Sequence, residues 1–374
     1  MSIANEITRL QNAKASLKSS INSKTDAQHQ ITVEKLEEYS TFVDSISGGR
    51  TDLNDYFENT ISAGELKSNN GLYLAGWERT IKSIKPTYTV SGTSAYYMFY
   101  HYPLSTIPII DTSNITNMSY MFYNMSTTSI DISGMNTSSA TNMQNMFSNS
   151  YNLASITFGE NFNTENVTNM QNMFNLTALT SLDLSKFKTP KVTNMSKMFR
   201  GFEGTTLNLS TFNFSKVTNM ESMFDYCVNL QAITFPAVFD TSRVTRLEYA
   251  FSCCTSLQSL PLFDCSAVTV INNLFKYGTA TDFAITTLGG FNNLGKGYLT
   301  SRSANYLSYT LDLSVCNNLT EQSLINVLNG LYDIATKGCN TQSCVLGSTN
   351  LAKLTSSAGQ QALSNAQAKG WNIS

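Results

Sequence analysis

Charge is scarce in this chain of 374 residues: Asp, Glu, Lys and Arg together make up 13 % of it, against roughly 25 % in an ordinary globular domain. With 24 Lys+Arg facing 26 Asp+Glu, the formal net charge is -2, so no basic field is available to hold a phosphate backbone and nucleic acid is not expected as a partner. Histidine is scarcer still. His29 and His101 are the two present, neither beside a Ser/Asp or Cys partner in sequence, which leaves general-base and zinc chemistry almost without material. The chain is therefore expected not to be an enzyme and to need no metal or cofactor, and no DxDxDG-like calcium loop occurs. Seven cysteines, Cys227, Cys253, Cys254, Cys265, Cys316, Cys339 and Cys344, form an odd set without a CxxC, which predicts reduced thiols rather than a disulfide framework. No run of about 18 apolar residues is present, so membrane insertion is not expected. The opening MSIANEITRL lacks an apolar signal core behind a basic start, which points to synthesis and folding in a cytoplasm.

What charge there is gathers at the front. Residues 1–48 hold 11 of the 50 charged residues, and the composition changes at Gly48-Gly49. Within this stretch Ile3, Ile7, Leu10, Leu17 and Ile21 follow an a/d helical spacing with Lys14 at the missing seam position. A second apolar stripe of Leu36, Tyr39, Val43 and Ile46 comes after a polar turn and a Thr32 cap. The spacing predicts a helical hairpin with little core of its own, suited to attachment or homo-oligomerisation through that seam. The alternative is a cap folded back on the next domain. Residues 49–93, with Phe57, Tyr73 and Trp77 among polar turns, are expected to form an N-terminal cap over the domain that begins at residue 94.

The central stretch repeats. NITNMSYMF (114–122), ATNMQNMF (140–147), VTNMQNMF (167–174), VTNMSKMF (192–199) and VTNMESMF (217–224) are followed by the decayed copies VTRLEYAF (244–251) and VTVINNLF (268–275). Their phenylalanines, preceded by Phe99 of an incomplete copy, recur every 23–27 residues, inside the 20–29 window of leucine-rich repeats. Each unit also holds an apolar-polar-apolar triplet, from Ile107-Pro108-Ile109 through Ile130-Asp131-Ile132, Ile156-Thr157-Phe158, Leu182-Asp183-Leu184, Leu207-Asn208-Leu209 and Ile233-Thr234-Phe235 to Leu260-Pro261-Leu262. That alternation predicts a strand with its outer members inward and its middle member outward. The outward ladder has Asp131, Thr157, Asp183, Asn208 and Thr234 as candidate contact residues, or simply as solvated strand faces. In VTNMxxMF the Val, Met, Met and Phe lie at i, i+3, i+6 and i+7, the spacing of a short helical turn. The expected fold class is thus an α/β repeat, a leucine-rich-repeat solenoid of strand plus helical turn over 94–288, preceded by the α-helical hairpin.

Ten of the 14 methionines occupy the two repeat positions, and their replacement by Leu247, Ala250, Ile271 and Leu274 in later copies suits core filling rather than metal ligation. The recurrent Asn117, Asn142, Asn169, Asn194 and Asn219 are expected to satisfy loop backbone groups of neighbouring units. The position three after each phenylalanine, which includes Cys227 and Cys254, is expected to be a mid-sized packing site.

VTNMxxMF, together with the LxLS strand and an FxxCxxL element at 224–230 and 251–257, resembles the BspA-type leucine-rich repeats of bacterial surface proteins. The opening MSIANEITRLQNAKASLKSSINSK resembles the start of structural proteins of tailed bacteriophages. The closing LDLSVCNNLTEQSLINVLNGLYDIA, VLGSTNLAKL and GWNIS are similar to the ends of phage-encoded repeat proteins, and 289–374 is expected to supply capping repeats with one long helix and a last strand. These resemblances imply a virion protein made in the bacterial host cytoplasm, on a tail fibre, baseplate or other appendage. It would be attached to other virion proteins and would bind a host cell-surface glycan or protein. A decoration protein without a receptor and a bacterial surface adhesin are the alternatives.

Overall fold

The computed structural model describes residues 92–101, 109–275, 283–297, 310–337 and 342–374, positions 105 and 107, and the backbone of Thr87–Thr89. The expected helical hairpin with Ile3, Ile7, Leu10, Leu17 and Ile21, most of the 49–93 segment, Pro108 and Cys339 lie outside the described residues.

Short strands mark four of the seven apolar-polar-apolar triplets, at 130–132, 156–158, 207–209 and 233–235, and pair in parallel; Leu182-Asp183-Leu184 forms no strand, and near Ile107-Pro108-Ile109 the strand lies at Ile109–Asp111. β1 (Thr87–Thr89) pairs with β2 (Ile109–Asp111), β3 (Ser129–Ile132) with β4 (Ser155–Phe158), and β5 (Thr206–Asn208) with β6 (Ala232–Thr234). Asp131 stands opposite Thr157 and Asn208 opposite Thr234. A second parallel track runs through the recurrent asparagines, as bridges from Ser94 to Asn117, Asn142, Asn169, Asn194, Asn219, Arg246 and Val270 in turn. Beyond these, β7 (Ser259–Leu260) pairs with β9 (Thr287–Leu288), and β8 (Phe263–Asp264) with β10 (Phe291–Asn292).

The VTNMxxMF segments bury the side chains that their spacing selects but form consecutive turns, not a helical turn. In the unit at 142–149, Met146 N–H donates to Met143 O at 3.3 Å and Ser148 N–H to Asn145 O at 3.2 Å. The alternate amides leave the unit: Met143 N–H donates to Asn169 O, Asn145 to Gln171 O, Phe147 to Met173 O and Asn149 to Asn175 O, all at 2.8–3.0 Å. What redirects them is a left-handed residue every fourth position, here Asn145 and Asn149 with φ 56° and 60°. The same columns carry Tyr120 and Asn124, Asn172 and Leu176, and Ser222 and Tyr226, all with φ between 53° and 61°. A left-handed residue costs about 1–2 kcal/mol when it is not glycine, and here that cost is offset by amides that reach the next unit instead of closing on their own.

The interior is a set of columns. Phe99, Phe122, Phe147, Phe174, Phe199, Phe224, Phe251 and Phe275 are fully buried, and each ring stacks on the next with centroids 5.2–6.2 Å apart. The ten repeat methionines and the later Leu247, Ala250, Ile271 and Leu274 are buried beside them, so volume rather than sulfur is what the positions retain. Gly159, where the chain leaves β4, lies against the Ser133 carbonyl so closely that a Cβ there would collide with it.

The first and last triplets depart from the expected alternation: in the first unit the buried, exposed and buried residues are Ile110, Asp111 and Thr112. In the last, Leu262 is 52 % exposed and Phe263 fills the inward position instead. The strand is broken after Leu260, where Gly289 crosses against the backbone of Pro261 and Leu262 with no room for a side chain.

At the C-terminal end the expected single long helix is two, with a third short one between. α1 (Glu321–Gly330) starts at Thr320, whose hydroxyl accepts from Ser323 N–H; α2 (Ser348–Leu351) follows Gly347; α3 (Ser357–Ala368) starts at Ser356, whose side chain accepts from Gly359 N–H. These are ordinary N-caps. The expected last strand is present as β13 (Trp371–Ile373), which with β12 (Gln342–Val345) and β11 (Thr310–Asp312) makes a parallel sheet in the order β11-β12-β13.

Candidate binding surface

Asp131, Thr157, Asp183, Asn208 and Thr234 are all exposed, with buried or half-buried apolar neighbours on either side. Four of them sit in paired strands; Asp183 lies in an irregular stretch of the same face. Three also serve the backbone. Asp131 Oδ1 accepts from Ser133 N–H at 2.8 Å, Asp183 Oδ1 from Ser185 N–H at 2.9 Å and Asn208 Oδ1 from Ser210 N–H at 3.0 Å. This Asx turn bends the chain out of the strand, and it recurs at Asp111, Asp240, Asp264 and Asp312. The hydrogen bonds to Ser185 hold the Asp183 carboxyl below the usual carboxylate range.

The asparagine column works mainly within each unit rather than between units. Asn142 Oδ1 accepts from Gln144 N–H and Asn169 Oδ1 from Gln171 N–H, while Asn169 Nδ2 reaches back to Gln144 Oε1 at 3.2 Å. Backbone groups of neighbouring units are joined by threonines, a role not anticipated from the sequence. Thr112, Thr137, Thr164, Thr189 and Thr241 are buried, and each hydroxyl bridges both backbone groups of one residue in the next unit. Thr164 Oγ1 donates to Lys188 O at 2.7 Å and accepts from Lys188 N–H at 2.9 Å. The sequence signal is a threonine five residues before the column asparagine, embedded in polar strings such as NTSSAT and NTENVT.

Among the described residues, the position three after the phenylalanine is buried, and in three units its side chain is also bonded to the preceding unit. Ser150 Oγ, Cys227 Sγ and Cys254 Sγ donate to the carbonyls of Phe122, Phe199 and Phe224 in the preceding unit. Cys227, Cys253, Cys254, Cys265, Cys316 and Cys344 are all free thiols. Burial raises the Cys254 and Cys265 thiols well above their ordinary range and pushes Cys344 up to about 12, which removes the thiolate that reacts. Iodoacetamide at mildly alkaline pH should therefore leave Cys254, Cys265 and Cys344 unmodified in the native protein and modify all three in denaturant, as read by peptide mass spectrometry. Rapid native labelling of Cys254 would contradict this burial.

A second surface is formed by the outward residues of the turns, on either side of the buried methionines and phenylalanines. Its first four units, 94–101, 117–124, 142–149 and 169–176, contain no Asp, Glu, Lys or Arg. Charge begins with Lys197 and Arg200 and alternates in sign thereafter. Arg200 Nε lies 2.9 Å from Asp225 Oδ2 and its guanidinium 5.2 Å from the Tyr226 ring centre. Burial nonetheless raises the Asp225 carboxyl above its usual range, with Arg200 opposing the shift. Arg246 Nη2 pairs with Glu221 at 2.9 Å and also with Glu248. The Arg200–Asp225 and Arg246–Glu221 pairs join neighbouring units, while Arg246–Glu248 lies within one. Among the described residues no group of three or more His, Cys, Asp or Glu is placed to hold a metal ion, and no helix is long and apolar enough to cross a membrane.

Columns of identical residues, parallel unit-to-unit bridges and two long exposed faces define a repeat protein of about 25 residues per unit. The chain matches the family described as Mycoplasma protein of unknown function, DUF285, over 93–204, 151–234 and 204–292. Together these matches span more than half of the sequence, so the chain belongs to that family, a BspA-like surface repeat family. No curated protein and no solved structure matched the chain.

Proposed function

We propose that the repeats form a leucine-rich-repeat solenoid of the BspA-like type and that the protein is a virion component of a tailed bacteriophage. It sits on a tail fibre, baseplate or other appendage, docks to other virion proteins through residues 1–48, with homo-oligomerisation along that seam, and meets the host cell surface with its repeats. The observation that carries this reading is the uninterrupted run of parallel bridges from Ser94 to Val270. Such a run offers a rigid, extended surface suited to a macromolecule or glycan rather than a concavity that encloses a reaction. Asp131, Thr157, Asp183, Asn208 and Thr234 are its contact residues on the strand face.

The family description names a cellular bacterium, and this favours a bacterial surface adhesin as the second reading. Both readings place binding in the repeats, and one experiment bears on that. Fluorescently labelled full-length protein should sediment with intact cells of the host and not with a receptor-negative strain. Absence of sedimentation, with the protein also presented on beads to supply avidity, would overturn host-surface binding and leave a decoration or assembly protein. Labelling of purified phage particles by an antibody to the chain separates the virion from the adhesin.

A further inference from the structure

The uncharged end of the turn surface carries a contiguous cluster of aromatic rings, separate from the contact residues of the strand face. Tyr96 and Tyr97 lie 4.5 Å apart, Tyr97 and Tyr120 4.7 Å, Tyr120 and Tyr123 5.3 Å, and Tyr100 stacks on Tyr123 at 5.8 Å, all between ring centroids. Tyr96 is 42 % exposed and the other four are half-buried. An aromatic set of this size is usually placed inside a core or against a partner; here a parallel column of buried phenylalanines already fills the core, and the tyrosines stand outside it. Amides border the rings. Asn149 Nδ2 donates to the Tyr123 hydroxyl at 2.6 Å, Asn124 Nδ2 lies 3.1 Å from His101 Nε2, and Tyr120 is hydrogen-bonded to the Asn145 side chain.

We propose that this tyrosine cluster is the binding site for an uncharged glycan chain, which continues along the amide track of Gln144, Asn149 and Gln171. Aromatic faces accept the C–H faces of sugar rings, and side-chain amides supply donors and acceptors for hydroxyls. Four successive units without Asp, Glu, Lys or Arg suit a neutral ligand and offer no counter-charge to a phosphate, a uronate or a charged protein surface. Burial, with Tyr96 and Tyr120 beside it, pushes the Tyr97 hydroxyl up to about 12, so that ring stays uncharged. Units in parallel register recur every 4.7–4.9 Å or so, which presents the amides as a regular track to a polymer. The proposal rests on the host-surface reading and deepens it by naming a ligand class and a subsite away from the strand face.

The test is affinity electrophoresis of the full-length protein through native gels containing dextran, mannan or galactomannan, with polygalacturonate as the charged comparison. At least one neutral polysaccharide should retard the protein and polygalacturonate should not. Tyr96→Ala and Tyr120→Ala should each weaken the retardation by about tenfold, and Lys216→Ala, at an exposed residue outside both faces, should leave it unchanged. Thermal unfolding verifies that the variants are folded. No retardation by any of the three neutral polymers, or retardation that survives both tyrosine changes, would overturn the proposal. The same variants in the cell-sedimentation assay separate the two readings: sedimentation that persists without the tyrosines sinks this subsite alone, and glycan retardation without sedimentation sinks the host-surface reading alone.

Discussion

Thr164→Val should lower the free energy of unfolding by about 2–4 kcal/mol, since each buried polar group left without a partner costs roughly 1–3 kcal/mol. The change keeps nearly the same volume and removes one oxygen. That oxygen holds both the N–H and the C=O of Lys188 in the next unit, at 2.9 and 2.7 Å. The control lies four residues away in the same repeat. Thr168 is exposed, and its hydroxyl donates to Thr141 O, a carbonyl that also accepts the Thr168 N–H at 2.8 Å. Thr168→Val therefore strands no buried group and should cost under about 0.5 kcal/mol, as surface substitutions do. Urea denaturation reads the difference, and amide exchange at Lys188 should speed up in the first variant alone. Equal effects at 164 and 168 would show that the buried hydroxyl does not carry the connection between units.

Phe174→Ala should cost about 3–5 kcal/mol, the range for emptying a large aromatic site in a core that can only partly collapse. The Phe174 ring is sandwiched between Phe147 at 5.7 Å and Phe199 at 5.9 Å, nearly parallel to both. Truncation leaves two neighbouring rings each without a face, and the next turn cannot close the gap because its backbone is tied unit to unit. Phe174→Leu retains most of the volume and should cost only about 1–2 kcal/mol. A thermal or urea midpoint for Phe174→Ala within error of the parent protein would mean that the column is not the source of cohesion.

The column of rings, the inward methionines and the outward Asp131, Thr157, Asp183, Asn208 and Thr234 are legible in the sequence because apolar side chains at a fixed period leave few places to go. The turn geometry is not. Residues at i, i+3, i+6 and i+7 fall on one side of a helix, but a run of turns with a left-handed residue every fourth position brings the same side chains inward. Only the backbone hydrogen bonds distinguish the two, and Tyr120, Leu176 or Lys197 at the left-handed positions give no glycine signal. The buried threonines are missed for a different reason. Surrounded by Asn, Ser and Glu, Thr137 and Thr164 resemble loop residues, and only the constant offset of five from the column asparagine marks them. Where the threonine column changes to Phe214, the neighbouring turn brings Phe239 to 5.0 Å from it: an apolar contact replaces a polar bridge. At the C-terminal end, Thr320 and Ser356 are readable caps, yet α3 has little but alanine on its buried face, too faint a stripe to separate it from α1 by pattern.

The tyrosine cluster is present in the sequence as AYYMFYH and SYMFYN, but the same letters suit an ordinary core. Their significance depends on the phenylalanine of each unit already occupying the interior. Two aromatic populations, one inside and one outside, emerge only when the turn places alternate side chains on opposite sides.

The five units from 117 to 226 present to one another nearly the same upper and lower surfaces: a ring, two methionines, an asparagine and a line of amides awaiting carbonyls. A gene encoding such a protein can therefore grow or shrink by whole copies without redesigning any joint, and the existing steps of 23–27 residues show that loops absorb length differences between copies. Every duplication adds about 4.8 Å of reach and one more row of outward side chains that are free to diverge while the interior stays constant. Valency and specificity can thus change by recombination and by drift at separate positions, on separate timescales, within a scaffold whose folding rules do not change.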